Sequence, residues 1–207
     1  MQCDGLTGLP TRAAFDTDLA AAVSTESTVS LALIDVNYFH DINQTFGVDA
    51  GDRVLTSIVE LFREHGEGLM YRIAGDEFAV IMSDQSLEQA FLKMEELRRS
   101  VKDSAARFDL PDKRAVSIGV GVAQYPRDAK DADSLKSAAA AALGSSKENR
   151  SDHVVLPLSE EMVMKSCYYT SSSVRRLKTL AERTGKRESL LLREALLDLL
   201  RKYDTRD

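Results

Sequence analysis

Three carboxylates stand where the chain pattern brings acids to the end of a sheet. Val29 to Val36 (VSLALIDV) is a β-branched, apolar run that closes on Asp35. Leu69 to Ile73 and Glu77 to Met82 are two further strand runs. They flank Ala74-Gly75-Asp76, a short polar turn with the composition of a hairpin, so Asp76 and Glu77 fall at its tip. If the hairpin neighbours the first strand, Asp35 and Asp76 converge. Two convergent carboxylates repel unless a cation neutralises them. A small set of hard oxygen ligands suits Mg²⁺, which keeps waters and completes its shell with substrate phosphates. The plainer reading of the same residues is a strand-end acid and a polar turn.

The elements that must position these acids alternate. Asp16 to Ser24 has a short helix pattern. Ala50 to Glu64 is amphipathic, with Val54, Leu55, Ile58, Val59, Leu61 and Phe62 at helical spacing. Ser86 to Ala106 predicts a long helix with Leu87, Phe91, Met94 and Leu97 on one side. Ala115 to Gln124 predicts a strand, Asp133 to Ser146 an Ala-rich helix, and His153 to Leu156 a last strand. Mixed helices and strands around a hairpin predict an α+β or α/β domain with a central sheet. Pro157 and the polar stretch after it mark a boundary, giving domains over 1–157 and 158–207.

The 207 residues carry 27 Lys and Arg against 33 Asp and Glu, and the imbalance is uneven along the chain. Residues 165–207 hold 11 basic and 6 acidic residues, while the remainder has a net charge of -11. An acidic body excludes non-specific nucleic-acid binding there, and a basic tail implies a different partner. No apolar run reaches the ~18 residues of a membrane span, and no basic, apolar leader opens the chain. Cys3 and Cys167 have no metal-ligand or disulfide spacing, which fits a reducing, cytoplasmic setting.

Four motifs in order carry a resemblance. YRIAGDEFAV (Tyr71 to Val80) is similar to the signature of the GGDEF family of diguanylate cyclases. DGLTGLPTR (Asp4 to Arg12) resembles that family's opening D-x-LTGLPNR. Leu33 to Leu55 resembles its D-x-D-x-F-K-x-I-N-D-x-x-G-H-x-x-G-D-x-V-L block, and Val116 to Ala123 its S-I-G-V-A strand. The resemblance spans about residues 4 to 156 and implies condensation of two GTP into cyclic di-GMP by a dimer, with Mg²⁺ or Mn²⁺. It implies metal binding by Asp35, the Val36 carbonyl and Asp76, with Glu77 helping to deprotonate the 3′-hydroxyl. Asn43 and Asp52 match the pair that reads the guanine edge, and a carboxylate suits guanine's N1–H and 2-amino donors. Phe39, His40 and Lys147 match further substrate-binding positions. The resemblance also implies the family's central, mostly antiparallel sheet flanked by helices.

The departures thin the phosphate contacts. Ala74 replaces the first Gly of the signature, a cost if that position needs positive φ or close approach to phosphate. Asn37 replaces the second Asp of D-x-D, His40 a phosphate-binding Lys, and Val48 a His. The closing A-K-x-x-G-R-N reads Ser146 to Asp152, with Ser151 at the expected Arg, and Ala140 stands at the Asp of A-D-x-A-L. The product-inhibition motif R-x-x-D falls on His65 to Gly68 and is absent, which predicts no tight feedback site there.

The tail predicts two helices, TSSSVRRLKTLAERTG and SLLLREALLDLLRKY, after a short strand over Met162 to Tyr169. Ser172 or Ser173 would cap the first helix and Gly185 end it. Val174, Leu177, Leu180 and Ala181 form one apolar stripe, and Leu191, Leu192, Ala195, Leu196 and Leu199 another. Two such short helices cannot bury both stripes alone, so a partner is required. The order resembles the ribbon-helix-helix family of DNA-binding proteins, whose paired strands enter the major groove. That resemblance implies a homodimer and double-stranded DNA as a partner. It places Met164, Ser166 and Tyr168 towards the groove and the amides around Ser189 on a phosphate. Arg175, Arg176, Lys186 and Arg187 would serve other phosphates. The alternative is a tail that only dimerises. Two functions are thus open: a diguanylate cyclase dimerised by its tail, or a transcriptional regulator whose weakened cyclase body senses GTP or cyclic di-GMP.

Overall fold

A strand hydrogen-bonded on both edges and covered on both faces has no reason to alternate, and VSLALIDV is such a strand. The computed structural model describes residues 3–65, 68–110, 115–148, 152–157, 169–184 and 188–203. The chain forms two compact units, Met1–Glu161 and Met162–Asp207. The first unit runs α1 (Arg12–Thr25), β1 (Val29–Val36), α2 (Phe39–Phe46), α3 (Val48–His65), β2 (Leu69–Ala74) and β3 (Glu77–Ser83). It continues through α4 (Leu87–Asp103), a 3-10 turn (Ala105–Phe108), β4 (Ile118–Tyr125), α5 (Ala132–Glu148) and β5 (Val154–Val155). The sheet order is β2-β3-β1-β4-β5. All pairs are antiparallel except β4 with β5.

Two apolar layers enclose this sheet. Ala32, Ile34 and Val36 of β1 join Ile42 of α2, Val54 and Ile58 of α3, and Met94 and Leu97 of α4. Val29 and Leu31 point the other way, to Phe15 and Leu19 of α1 and Leu135 and Ala139 of α5. The alanine run of α5 has a packing reason. A Cβ on Gly121 of β4 would overlap the Ala139 carbonyl and the Leu143 backbone, so helix and strand lie backbone to backbone.

Several boundaries differ from the sequence expectation. The long helix expected over Ser86 to Ala106 has its N-terminus where the capping signal puts it. The Ser86 hydroxyl accepts from the Gln89 N–H and the Gln89 side chain from the Ser86 N–H. It stops at Asp103, and the 3-10 turn then brings Phe108 into the core. α2 was not foreseen: its eight residues bury Ile42 alone, too little for a periodic signal. α1 starts four residues early at Arg12, α3 starts at Val48, and β4 starts at Ile118 rather than Ala115.

The second unit comprises α6 (Ser171–Thr184) and α7 (Glu188–Tyr203). The expected cap is corrected. The Ser173 N–H donates to the Thr170 hydroxyl at 3.3 Å, so Thr170 caps α6 rather than Ser172 or Ser173. Both apolar stripes remain open in the single chain: Val174 is 46% exposed, Leu196 55% and Leu199 52%. The expected strand up to Tyr168, and Gly185, lie outside the described residues.

Candidate active site

The register of the central strands decides which acids meet. Asp35 of β1 is paired directly with Glu77 of β3, not with Asp76. Directly opposed residues share a face, so these two carboxylates project from the α1/α5 side of the sheet. Asp35 is only 9% exposed and Glu77 is half-buried. Asp76 occupies the turn one residue earlier, where its carbonyl accepts the Val36 N–H at 3.2 Å. The expected convergence of Asp35 and Asp76 is therefore refined. The hairpin tip meets the end of β1, with Glu77 across from Asp35 and Asp76 beside Val36.

Like charges opposed across strands destabilise the pair unless something offsets them. Two or three carboxylates with one backbone carbonyl nearby are a hard-oxygen donor set of the size Mg²⁺ accepts. Among the described residues, no group of three His, Cys, Asp or Glu side chains forms a closed metal cluster.

The positive-φ cost expected at Ala74 does not arise. The residue pairs with Glu77 across a local register shift, and it is not among the positive-φ residues of the chain. Asn37, at the D-x-D position, is buried and donates from its amide to the Ser117 hydroxyl at 2.9 Å. Its backbone N–H reaches the Ser117 carbonyl at 3.0 Å, so the residue ties β1 to the approach to β4.

A clamp built from the opening DGLTGLPTR motif holds the hairpin tip. Asp4 accepts from the Thr7 backbone and hydroxyl at 2.8 and 2.7 Å. It also accepts from Arg72 at 2.8 Å. Arg72 in turn grips the Gly75 carbonyl through two nitrogens, at 3.0 and 2.8 Å. Arg12 donates to the Ile73 carbonyl at 2.9 Å. Burial raises the Asp4 carboxyl, but the Thr7 and Arg72 hydrogen bonds and the Arg72 charge outweigh it and hold the group at about 2. The Asp4–Thr7 spacing, typical of a local side-chain turn, was the available signal. The 68-residue span to Arg72 was not readable locally.

On the opposite side of the sheet, Asn43 of α2 faces α3. A Cβ on Gly51 would overlap Asn43 Oδ1 and stand 3.0 Å from the Phe39 ring. Asn43 Oδ1 is buried and has no hydrogen-bond partner. A buried acceptor left unsatisfied costs about 1–3 kcal/mol, and here it is packed against Gly51. Asp52, half-buried, follows Gly51 directly. Asn43 and Phe39 thus meet at Gly51, next to Asp52 in the chain, while His40 is exposed one residue along α2. Tyr38, with φ 56°, links these residues to the end of β1.

A cavity of about 590 Å³ opens beside Glu77 between α1 and α5. Arg12, Phe15, Lys136, Ala140 and Gly144 help to line it. Lys147 lies in the last turn of α5. Of the tail positions, Arg175 and Arg176 are exposed on α6 and Ser189 is the second residue of α7. Ser166, Tyr168, Lys186 and Arg187 lie outside the described residues, as do Met164, Arg150 and Ser151.

A five-stranded, mostly antiparallel sheet flanked by helices, with acids at the hairpin tip, defines an α+β nucleotide-cyclase-like domain. Comparison with known proteins agrees. The model of the diguanylate cyclase GGDEF domain matches residues 1–153, and that of the ribbon-helix-helix domain matches residues 166–204. The chain belongs to the GGDEF family, with a ribbon-helix-helix domain following. Diguanylate cyclase A of Treponema denticola is 32% identical over 133 residues, covering 63% of this chain and 36% of that protein. An uncharacterized membrane protein of Staphylococcus aureus is 34% identical over 128 residues, covering 57% of this chain and 35% of its own length. The chain thus spans about a third of the length of these relatives. The GGDEF domain of DgcB from Caulobacter crescentus, solved in complex with c-di-GMP, superimposes with a TM-score of 0.69 at 28% identity. That match covers 74% of this chain and 94% of the DgcB domain. The GGDEF domain of PA1120 from Pseudomonas aeruginosa gives 0.67 at 28% identity, covering 74% and 99%. Among the described residues, no helix is long and apolar enough to cross a membrane.

Proposed function

We propose that the chain is a diguanylate cyclase that condenses two GTP into cyclic di-GMP as a dimer, with a tail that dimerises it and binds DNA. The observation that carries the catalytic part is Asp35 opposed to Glu77, with Asp76 in the turn beside Val36. Asp35, the Val36 carbonyl and Asp76 would hold Mg²⁺ or Mn²⁺, whose charge offsets that developing on the phosphates. Asn43 and Asp52 read the guanine edge, and the Asp52 carboxylate accepts from N1–H and the 2-amino group, which favours GTP over ATP because adenine lacks the 2-amino donor. Phe39, His40 and Lys147 position the nucleotide. Glu77 accepts the proton of the 3′-hydroxyl as it attacks the α-phosphate of the second GTP, whose bond to the β-phosphate breaks and releases pyrophosphate.

The open apolar stripes of α6 and α7 favour a homodimer built through the tail. A tail dimer raises the effective concentration of the second half-site, which the two-GTP reaction needs. DNA binding rests on the ribbon-helix-helix domain, through Ser166, Tyr168, Arg175, Arg176, Lys186, Arg187 and the Ser189 amides.

The test is incubation with GTP and Mg²⁺ or Mn²⁺, with nucleotides resolved by mass and Asp76→Ala as control. Cyclic di-GMP from the wild type alone supports the enzyme. GTP bound without product favours the second reading, a regulator whose cyclase body senses nucleotide, and the thinned phosphate contacts at His40 and Ala140 would explain it. No nucleotide binding refutes both.

A further inference from the structure

Glycine inside a helix or a strand needs a reason, because it loses the most freedom on folding and packs nothing. Gly51 and Gly121 have one, since a Cβ at either would overlap a neighbour. Gly144 of α5 has none: a Cβ there would meet nothing within 4 Å. The space it leaves belongs to the cavity of about 590 Å³ between α1 and α5, a volume in the range of small-molecule sites. Lys136, Ala140 and Gly144 recur at i, i+4 and i+8, so two small residues keep that face of α5 clear. Leu33 lines the same space, and it alone is half-buried in a β1 that is otherwise buried throughout. With Phe15, Ile73 and Leu143 it makes the cavity wall apolar.

The charged lining is balanced at one end and not at the other. Lys136 is held by Asp16 and Asp133, each at 3.0 Å. Arg12 spends Nε on the Ile73 carbonyl at 2.9 Å, and its terminal nitrogens have no partner among the described residues. The Glu77 carboxylate also lines the cavity and has no partner there either, so the two charges are not joined to each other. Arg12 is fixed at Ile73 and Glu77 is paired with Ala74, the next residue, which puts both at the hairpin end.

We propose that this cavity binds an apolar α-amino acid, with its carboxylate on Arg12, its ammonium on Glu77 and its side chain against Leu33, Ile73 and Leu143. Charge chooses the occupant. Opposite, unjoined charges at one end of an apolar trough match a zwitterion, and a guanidinium fork takes a carboxylate with parallel donors. A simple carboxylic acid would leave Glu77 uncompensated across from Asp35, and a simple amine would leave Arg12 so. Glu77 is the one lining residue that the proposed reaction uses. An ammonium held on it engages the group that takes the 3′-hydroxyl proton, so occupation slows the cyclase. That consequence rests on the proposed function, whereas the binding itself does not.

The test is calorimetric titration of the full chain, without nucleotide, by L-phenylalanine and by two analogues that each lack one charge, 3-phenylpropionate and 2-phenylethylamine. Phenylalanine should bind, and each analogue should bind roughly tenfold more weakly, the worth of one charge-assisted hydrogen bond. Arg12→Gln should weaken phenylalanine by a similar factor and leave the amine unchanged. Glu77→Gln should weaken phenylalanine and leave phenylpropionate unchanged. Gly144→Leu fills the cavity with a better helix former, so it should remove binding of all three without lowering Tm. Ala140→Leu, one turn earlier, should act alike. Binding that survives both Leu variants lies elsewhere and overturns the site. Equal affinity for the three ligands, or no binding at millimolar concentration, overturns it as well. In a separate assay of cyclic di-GMP formation, phenylalanine should lower turnover by the wild type and have no effect on Gly144→Leu. Bound phenylalanine with unchanged turnover overturns the control of the reaction and leaves the site standing. An inactive wild type that still binds phenylalanine counts against the cyclase reading alone.

Discussion

Replacing Gly51 by Ala tests whether the α2–α3 contact is a guanine site. The new Cβ meets Asn43 Oδ1 within van der Waals overlap and the Phe39 ring at 3.0 Å. The overlapped atom is the end of a flexible side chain, so Asn43 swings away rather than the backbone moving. An off-rotamer side chain costs about 0.5–1.5 kcal/mol, and Gly→Ala within a helix returns about 1 kcal/mol. Net stability should therefore change by less than about 1 kcal/mol. The displaced amide no longer stands where it would meet the base edge. Loss of a hydrogen bond of about 1.4 kcal/mol weakens GTP roughly tenfold. Thermal unfolding measures the first quantity and a GTP titration the second. GTP affinity equal to wild type would refute the site. A loss of about 3 kcal/mol in stability would show that the backbone had to yield, and that the flexible-side-chain argument is wrong.

Asp4→Asn tests the hairpin clamp. The Asp4 carboxyl is lowered from 3.8 to about 2, so its stabilisation is complete above its unfolded value and is lost as pH falls towards 2. Allowing for its partial exposure, the variant should be about 1–2 kcal/mol less stable at neutral pH, with the difference vanishing near pH 2 in urea titrations. A pH-independent difference would show that the charge is not involved. Gly121→Ala should destabilise by roughly 3 kcal/mol, because the Cβ meets backbone of α5 on which no rotamer can relieve the clash. A near-neutral effect in chemical denaturation would contradict that packing. Leu196→Glu, on the open face of α7, should convert the proposed dimer to monomer in sedimentation and leave the fold of the first unit unchanged. A retained dimer would place the interface elsewhere.

How far the local pattern reaches is clear from particular residues. β1 was legible to the residue because a strand buried on both faces is an unbroken apolar run. The hairpin was legible because Gly75-Asp76 interrupts two such runs. α3 and α4 were legible from their periodic cores, and the acids Asp35, Asp76 and Glu77 from their places at the ends of these runs. α2 was hidden, since eight residues with one buried side chain carry no period. The cap of α6 fell to Thr170 rather than the serines that follow, because four adjacent hydroxyl residues offer equal local signals.

The family, the two units, the acids and the unmatched apolar stripes of the tail are all legible locally, because each is written in contiguous residue types. Tertiary structure alone decided that Asp35 faces Glu77, since a shift of one residue in strand register moves every side chain to the other face. It also decided that Gly51 makes room for Asn43, and that Asp4 reaches Arg72 to hold the Gly75 carbonyl. Those contacts join residues far apart in the chain, and only the closing of the sheet and the packing of its helices brings them within reach.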